Sequence, residues 1–183
     1  MSTPQTALQA LPRLKPLLIA LGAIAVLTAS SYVAVPLYPV PVTLQTLAVV
    51  MMGAVLGWRA GVGVVLAWLA LAFMGAPLLS NGGGSPVAFV GPTAGYLASF
   101  PTAAALAGLL PRARTPLGYA LGFAGFLGLH GLILAMGWAW LSRLVGAEAA
   151  FVSGVVPFLI GSVVKAGLAS AILAALPEGW RRS

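Results

Sequence analysis

The chain has 183 residues, of which 61% are hydrophobic and only 6% are charged. A soluble domain carries about 25% charged residues, so this composition excludes a protein whose whole surface faces water. The apolar residues instead form runs long enough to cross a bilayer, for which a helix needs roughly 20 residues. We therefore predict a polytopic, all-α integral membrane protein in which residues 1–183 form one domain and one helical bundle.

The charged and reactive side chains restrict the function further. The net charge of +7 comes from basic residues at the ends of the hydrophobic runs and not from a patch, so nucleic acid is not an expected partner. There are no cysteines, two acidic residues and one histidine. Disulfides and thiolate chemistry are thereby excluded, and metal sites and acid–base catalysis need several such groups close together. We expect no cofactor, no metal and no enzymatic activity of the chain's own.

Gly, Pro and charged residues divide the chain into six hydrophobic runs. The predicted spans, in chain order, are approximately 15–35, 44–58, 60–79, 92–110, 116–141 and 158–176. The first run follows Arg13 and Lys15, as the apolar part of a signal peptide would. Because no soluble mature domain follows, we interpret this run as a retained transmembrane helix.

The Lys and Arg residues predict the orientation of the six spans. With a cytoplasmic N-terminus, seven of them lie on the inner side, namely Arg13, Lys15, Arg59, Arg112, Arg114, Arg181 and Arg182. Arg143 lies in an outer loop, and this imbalance satisfies the positive-inside rule. Both termini are then cytoplasmic, and the outer loops are 36–43, 80–91 and 142–157.

Small residues recur at helical spacing on two of the spans. On the fifth span they are Gly118, Gly122, Gly125 and Gly128. We interpret them as a face that packs against another helix of the bundle, because missing side chains let two backbones approach closely. Ala25 and Ala29 form a similar pair on the first span. Packing is again the default interpretation, and a docking face for another membrane protein is the alternative.

Two ionisable side chains fall inside the predicted spans. Lys165 lies about seven residues into the last span, about 10 Å below its outer end. An intramembrane Lys costs about 2.5–3.5 kcal/mol and usually faces the interior of the bundle, where it is functional; the alternative is a Lys that extends to the interface. Neither Glu lies in a span, so a ligand carboxylate would supply the missing counter-ion. We interpret His130, in the fifth span, as a hydrogen-bonded packing residue.

The segment "SNGGGSPVAFVGPTAGY", Ser80–Tyr96, combines three consecutive glycines with two prolines. Such irregular backbone is tolerated near membrane depth only where it lines protein or a watery cavity. Polar and aromatic side chains flank the glycines, namely Asn81, Ser85, Phe89, Thr93 and Tyr96. A flexible surface loop is the alternative interpretation. No Lys-Ser or Lys-Thr follows the glycines, so the segment is not a nucleotide-binding P-loop.

The predicted topology brings these features to one side of the membrane. The stretch "YPVPVTLQTLAV", Tyr38–Val49, adds a run of hydroxyl and amide side chains between two prolines and the second span. The residues expected to converge there are Thr43, Gln45, Asn81, Tyr96, Ser162 and Lys165. Together with Phe89 and Thr93 they are the eight predicted ligand-binding residues. They would form an outward-facing pocket with neutral polar groups, aromatic walls and one cation, and its ligand should be small, amphipathic and anionic.

Three ordered motifs, "PVTLQTLAVV", "GPTAGYLASFP" and "PFLIGSVVKAGLA", resemble the BioY family, the biotin-binding S components of energy-coupling factor (ECF) transporters. The resemblance covers nearly the whole chain. In the family the last motif usually has a second Pro and then Gly-Asp before the Lys, whereas Ile160 and Ser162 stand at the Pro and Asp positions here. The change removes a carboxylate that would accept from the ureido N–H groups of biotin. Ser162 could accept one such bond as a weaker, neutral acceptor.

The resemblance implies a six-helix bundle of the ECF S-component type in the prokaryotic cytoplasmic membrane. It implies biotin capture on the outer side, with import driven by a transmembrane coupling subunit and two ATP-binding cassette subunits. In this fold class an alanine motif on the first helix docks the coupling subunit, and Ala25 and Ala29 fit that role. Lys165 would bind either the carboxylate of biotin or its ureido carbonyl.

Three other interpretations remain open. The protein could be an S component for a different small anionic vitamin, an integral-membrane enzyme, or a structural or assembly protein. An enzyme would have to use His130 or Lys165 as its acid or base, and an assembly protein would leave the buried Lys without a reason. Whether the chain acts alone, as a homo-oligomer or only with its energising partners is also open.

Overall fold

The computed structural model describes residues 4–111 and 115–177, with side chains described from Leu14 onward. The described ranges form seven α-helices: α1 (Pro4–Tyr32), α2 (Gln45–Leu56), α3 (Trp58–Phe73), α4 (Ala94–Ala107), α5 (Pro116–Val145), α6 (Ala147–Gly154) and α7 (Leu159–Ala175). Three short 3₁₀ turns occur at Ser80–Gly82, Pro86–Phe89 and Val156–Phe158. Two short antiparallel strands, β1 (Ala34–Val35) and β2 (Val42–Thr43), pair Ala34 with Thr43.

The helices run up and down, so the connecting segments collect at two ends of the bundle. We call the end with segments 33–44, 74–93 and 146–158 the mouth end. The opposite end, where α2 meets α3 and α7 ends, is the base end. Gly57 makes the tight α2–α3 turn with a φ of 82°, a conformation that favours glycine. Thr115 begins α5 by accepting the Gly118 N–H on its side-chain oxygen at 3.1 Å.

Close approach between helix backbones holds the centre of the bundle together. A side chain at Gly95 of α4 would lie 2.5 Å from the Met136 carbonyl oxygen of α5, and one at Gly137 would meet the Tyr96 ring. Trp68 of α3 and Phe100 of α4 fill the core beside them, with ring centroids 6.4 Å apart. Small residues at helix crossings allow this packing, as in other membrane bundles.

The glycines of the fifth span only partly match their predicted packing role. A side chain at Gly125 would collide with Leu110, and one at Gly122 would lie 3.6 Å from the Ser170 hydroxyl. Gly128 is exposed, and among the described residues no atom beyond its chain neighbours and the adjacent backbone of α5 lies within 4 Å of the position that an added Cβ would take, so its predicted packing role is wrong. Successive residues turn by about 100° around a helix, which carries Gly128 away from the face that Gly118 begins.

Six helices occupy the six predicted spans, but several are shorter than predicted. Within the described residues, three stretches are long and apolar enough to cross a membrane: Leu14–Tyr32, Pro116–Val145 and Ala147–Ala175. α2, α3 and α4 have 12, 16 and 14 residues. α3 ends early because Gly75, with a φ of 102°, and Pro77 interrupt it. The predicted outer loop 142–157 instead contains the helix α6.

Candidate functional site

A cavity of about 60 Å³ lies at the mouth end between α2, α4, α5 and α7. Its polar lining consists of Thr43, Gln45, Thr46, Ser80, Thr93, Tyr96, His130, Ser162 and Lys165. Its apolar walls include Phe100, Ile133, Leu134 and Phe158. Apolar walls with a few converging polar groups are typical of a small-molecule site.

Lys165 lies in this cavity with its side chain 7% exposed. Its position is six residues after the start of α7, about 9 Å from the mouth end of that helix. The ammonium Nζ donates a hydrogen bond to Thr46 Oγ1 on α2 at 3.0 Å. Glu148, the one acidic residue in ranges 4–111 and 115–177, is exposed on α6. The ammonium therefore has a neutral hydroxyl partner and donors left for a ligand.

The polar run before α2 forms one wall of the cavity. Thr43 Oγ1 accepts the backbone N–H of Gln45 at 3.2 Å, which fixes the start of the helix. Gln45 is 7% exposed, and its side-chain Nε2 has no hydrogen-bond partner among the described residues. A buried amide donor without a partner is unfavourable, so Gln45 presents an unused donor beside the cavity.

Tyr96 and Thr93 line the cavity from the start of α4. The Tyr96 hydroxyl donates to the Gly154 carbonyl at 2.7 Å, and the ring stacks on Phe158 at a centroid distance of 6.1 Å. Tyr96 thus contributes its ring to the wall, while its hydroxyl fastens α4 to the end of α6. Thr93 Oγ1 donates to the Ala88 carbonyl at 3.3 Å and holds the preceding turn against the helix.

Asn81 and Phe89 are not among the residues that line the cavity. Asn81 has a φ of 57°, a left-handed conformation, and its side chain is exposed. Phe89 packs edge-on against Phe73, with ring centroids 5.4 Å apart. The glycine segment reaches the cavity through Ser80, the neighbour of Asn81. The predicted pocket therefore has six of its eight residues at the cavity: Thr43, Gln45, Thr93, Tyr96, Ser162 and Lys165.

Thr46 and His130 line the cavity although neither was predicted to bind there. Thr46 stands in the same polar run as Thr43 and Gln45, and this was the available signal for it. His130 is 2% exposed; its Nδ1 lies 2.8 Å from the Phe126 carbonyl oxygen, while its Nε2 has no partner among the described residues. The predicted packing role accounts for one ring nitrogen and leaves the other unexplained.

Ala25 and Ala29 lie on the outside of the bundle. Both are exposed, whereas Ala23 and Leu27 of the same helix are buried. With about 100° between successive residues, the alanine pair lies roughly opposite the buried face of α1. The pair is therefore free of the bundle's own packing, and its role in partner docking stays a prediction.

The sequence model of the BioY family matches residues 4–182. The chain belongs to the BioY family. The probable biotin transporter BioY of Pyrococcus horikoshii is 36% identical over 80% of this chain and 86% of its own. The biotin transporter BioY of Rhodobacter capsulatus is 38% identical over 72% of this chain and 76% of its own.

A solved structure of the S-component for biotin from an ECF-type ABC transporter matches with a TM-score of 0.78. It is 26% identical and covers 95% of this chain and 93% of its own. The predicted fold class is thereby confirmed: the BioY chain is an all-α integral membrane protein with the six-helix bundle of an ECF S component.

Proposed function

We propose that this protein is the substrate-capture subunit for biotin uptake across the cytoplasmic membrane of a prokaryote. It binds the vitamin in a pocket that faces outward and passes it inward with an ATP-driven partner module. The observation that carries the proposal is the buried ammonium of Lys165 in a cavity where no described residue supplies a carboxylate. Family membership and the names of the relatives support the same ligand.

The chemistry of the cavity complements biotin. Biotin has a carboxylate, a ureido carbonyl, both ureido N–H groups and an apolar ring system. Lys165 and Gln45 offer donors to its oxygens, and Ser162 offers a hydroxyl that can accept from an N–H. Phe100, Ile133 and other apolar residues enclose the ring system. A carboxylate also neutralises an ammonium that otherwise has only a hydroxyl partner.

Two binding modes for biotin follow from the position of Lys165. In the first, the ammonium binds the carboxylate, and we favour it because the resulting ion pair removes an uncompensated buried charge. In the second, the ammonium donates to the ureido carbonyl, and backbone N–H groups of the glycine segment 82–84 bind the carboxylate. Asn81 and Phe89 contact biotin in either mode only if the glycine segment closes over it.

We infer that the segments at the mouth move to admit biotin. A cavity of about 60 Å³ holds about four water molecules, which is less than a bicyclic vitamin with an aliphatic acid chain requires. Tyr32 at the end of α1 donates its hydroxyl to the Pro77 carbonyl at 2.6 Å, which joins α1 to the segment before the glycines. We infer that this segment opens and closes over the ligand while the helices below remain packed.

The partner module consists of a transmembrane coupling subunit and two ABC-type ATPases. The exposed face of α1 with Ala25 and Ala29 is our proposed contact for the coupling subunit. Lys15 and Arg59 at the base end, together with the basic residues that lie outside the described ranges, support a cytoplasmic position for that end and for both termini.

Ser162 favours a second candidate, an S component for a different small anionic vitamin. Ser162 stands where the family motif usually has Asp, and it lines the cavity 6% exposed. A neutral acceptor is weaker than a carboxylate. A ligand with fewer N–H donors than biotin would therefore lose less binding free energy when Ser replaces the Asp of the family motif.

Ligand binding to the detergent-purified protein, without ATP or metal, tests the proposal. We expect biotin to give a calorimetric binding signal and to raise the temperature of thermal unfolding. A panel of other anionic vitamins serves as the comparison. No heat and no stabilisation at saturating biotin would refute biotin as the ligand, and stabilisation by another member of the panel would support the second candidate.

A further inference from the structure

We propose that His130 accepts a hydrogen bond from a ring N–H of the ligand and so selects ligands that carry a cyclic urea or amide. This inference rests on the proposed function, because it assigns a role within the same cavity. His130 lies in the middle of α5, and its ring contributes to the cavity wall.

The hydrogen bond inside α5 determines which ring nitrogen carries the proton. Nδ1 lies 2.8 Å from the Phe126 carbonyl oxygen. A carbonyl oxygen can only accept, so Nδ1 is the donor and carries the hydrogen. In the neutral ring Nε2 is then an acceptor with a free lone pair. A second positive charge beside the Lys165 ammonium in the same cavity would be unfavourable, which favours the neutral ring.

The Nε2 acceptor is buried and has no partner among the described residues. His130 is 2% exposed, so bulk water does not supply one. Buried polar atoms in folded proteins are nearly always hydrogen-bonded, and an exception calls for a partner such as a ligand or an ordered water molecule that a ligand displaces. His130 is part of the cavity lining, so a ligand bound in the cavity contacts this residue and reaches Nε2, which has almost no accessible surface of its own, by displacing its nearest neighbours.

The groups of the cavity that can still form hydrogen bonds are a mixed set. Gln45 Nε2 and the N–H groups of Lys165 that do not bind Thr46 are donors, whereas His130 Nε2 is an acceptor. A simple carboxylate can only accept hydrogen bonds, so it would satisfy the donors and leave Nε2 unpaired. A cyclic urea or amide supplies a carbonyl and an N–H together. The presence of His130 therefore offsets the missing carboxylate at Ser162.

Nitrogen NMR of the unmodified protein tests the assignment directly. His130 is the only histidine in the sequence, so imidazole ¹⁵N labelling with a tag that lacks histidine gives one pair of ring signals. We expect Nε2 to resonate as an unprotonated nitrogen in the free protein. Biotin should shift this resonance in the direction of hydrogen-bond acceptance, while Nδ1 keeps its proton. A protonated Nε2 in the free protein, or a resonance that biotin does not move, would overturn the proposal.

Two substitutions and modified ligands measure the contribution of the hydrogen bond. His130→Phe removes the acceptor and should weaken biotin by about 10–100-fold. His130→Gln retains an amide oxygen at a similar reach and should recover part of that loss. Two biotin derivatives, each methylated on one ureido nitrogen, serve as probes. For the derivative that lacks the relevant N–H, wild type and His130→Phe should bind with equal affinity.

The outcomes separate this inference from the proposed function. If wild type fails to bind biotin, the proposed function fails. If wild type binds biotin and His130→Phe binds it equally well, the inference alone fails. A uniform loss for biotin and both methylated derivatives would also contradict it, because it would indicate a packing role. If His130→Phe does not fold, His130→Gln and the NMR experiment still test the inference.

Discussion

Lys165 has Thr46 as its hydrogen-bond partner, and no described carboxylate is available to it. Such an ammonium is a poor stabilising element, since taking a charge out of water is costly unless it is paired. The arrangement makes sense when a ligand arrives with an anionic or strongly accepting group. The contact with Thr46 then serves to aim the side chain from α7 toward α2 across the cavity.

Replacing Lys165 by Met distinguishes the two binding modes. If the ammonium binds the carboxylate, Lys165→Met should weaken biotin by about 10–100-fold, because a charge-assisted hydrogen bond is lost. Biotin amide, which has no carboxylate, should be weakened much less. Equilibrium binding of both ligands to the purified variant measures this difference.

The control is Val164→Met, an exposed neighbour on the same helix, which should bind both ligands like the wild type. Equal losses for acid and amide in Lys165→Met would reject the carboxylate mode and support the ureido mode. No loss for either ligand would remove Lys165 from the site.

The sequence was sufficient to find the convergence of Thr43, Gln45, Ser162 and Lys165, because polar side chains in apolar spans have few alternatives to an internal cavity. The sequence was not sufficient to predict that His130 lines the cavity. A lone histidine in a helix can satisfy one nitrogen on its own backbone, and only the packing around it shows whether the second nitrogen is enclosed or faces a cavity. Side-chain direction also explains why Asn81 does not line the cavity, because its left-handed backbone turns the side chain outward.

At the scale of helices, the positions of the spans were predictable and several ends were not. Hydrophobic runs of the right length leave little choice of secondary structure in a membrane. The ends of α2, α3 and α4 depend on where irregular segments enter the protein, which in turn depends on the cavity they line. α6 was missed because the stretch 147–154 is too short to predict as a span.

The crossing of α4 and α5 depends on Gly137. A methyl group there would meet the Tyr96 ring, which is held by its hydrogen bond to Gly154 and its stacking on Phe158. Gly137→Ala should therefore destabilise the protein by about 1–3 kcal/mol, as overpacking does, and should weaken biotin because Tyr96 lines the cavity. Thermal unfolding in detergent and equilibrium binding measure the two effects.

Gly131→Ala is the matched control on the same helix. In the part of the chain that the structure describes, no atom beyond the chain neighbours and adjacent backbone of α5 lies within 4 Å of the position that its added carbon would take. The stability and affinity of this variant should therefore stay close to those of wild type. Equal behaviour of Gly137→Ala and Gly131→Ala would show that the ring of Tyr96 can move aside.

The outer face of α1 is a second feature at this scale. Ala25→Trp or Ala29→Trp should abolish co-purification with the coupling subunit, because bulk at small-residue positions holds two helices apart. Biotin binding should be unchanged, since both side chains point away from the bundle. Leu17→Trp, also exposed but about 80° from Ala25 and about 120° from Ala29 around the helix, is the control. Unchanged co-purification of both alanine variants would reject this face as the contact.

For the molecule as a whole, function depends on which end faces out. The cavity opens at the mouth end, whereas Lys15 and Arg59 lie toward the base end. Most of the remaining basic residues fall in segments that the described ranges do not include, so the orientation follows from the sequence rule and not from the helices. An inverted protein would present its cavity to the cytoplasm and could not capture an external vitamin. Capture of an external vitamin therefore requires that the mouth end faces outward.

Cysteine labelling tests this orientation cleanly because the natural chain has no cysteine. Ala147→Cys, exposed at the mouth end, and Pro177→Cys, exposed beyond α7 at the base end, leave every charge in place. In spheroplasts a membrane-impermeant maleimide should label Ala147→Cys at once and Pro177→Cys only after permeabilisation, as the excess of basic residues at the base end requires. The unlabelled wild type gives the background. The reverse pattern would place the cavity on the cytoplasmic side, and labelling of both sites in intact spheroplasts would exclude a fixed six-span topology.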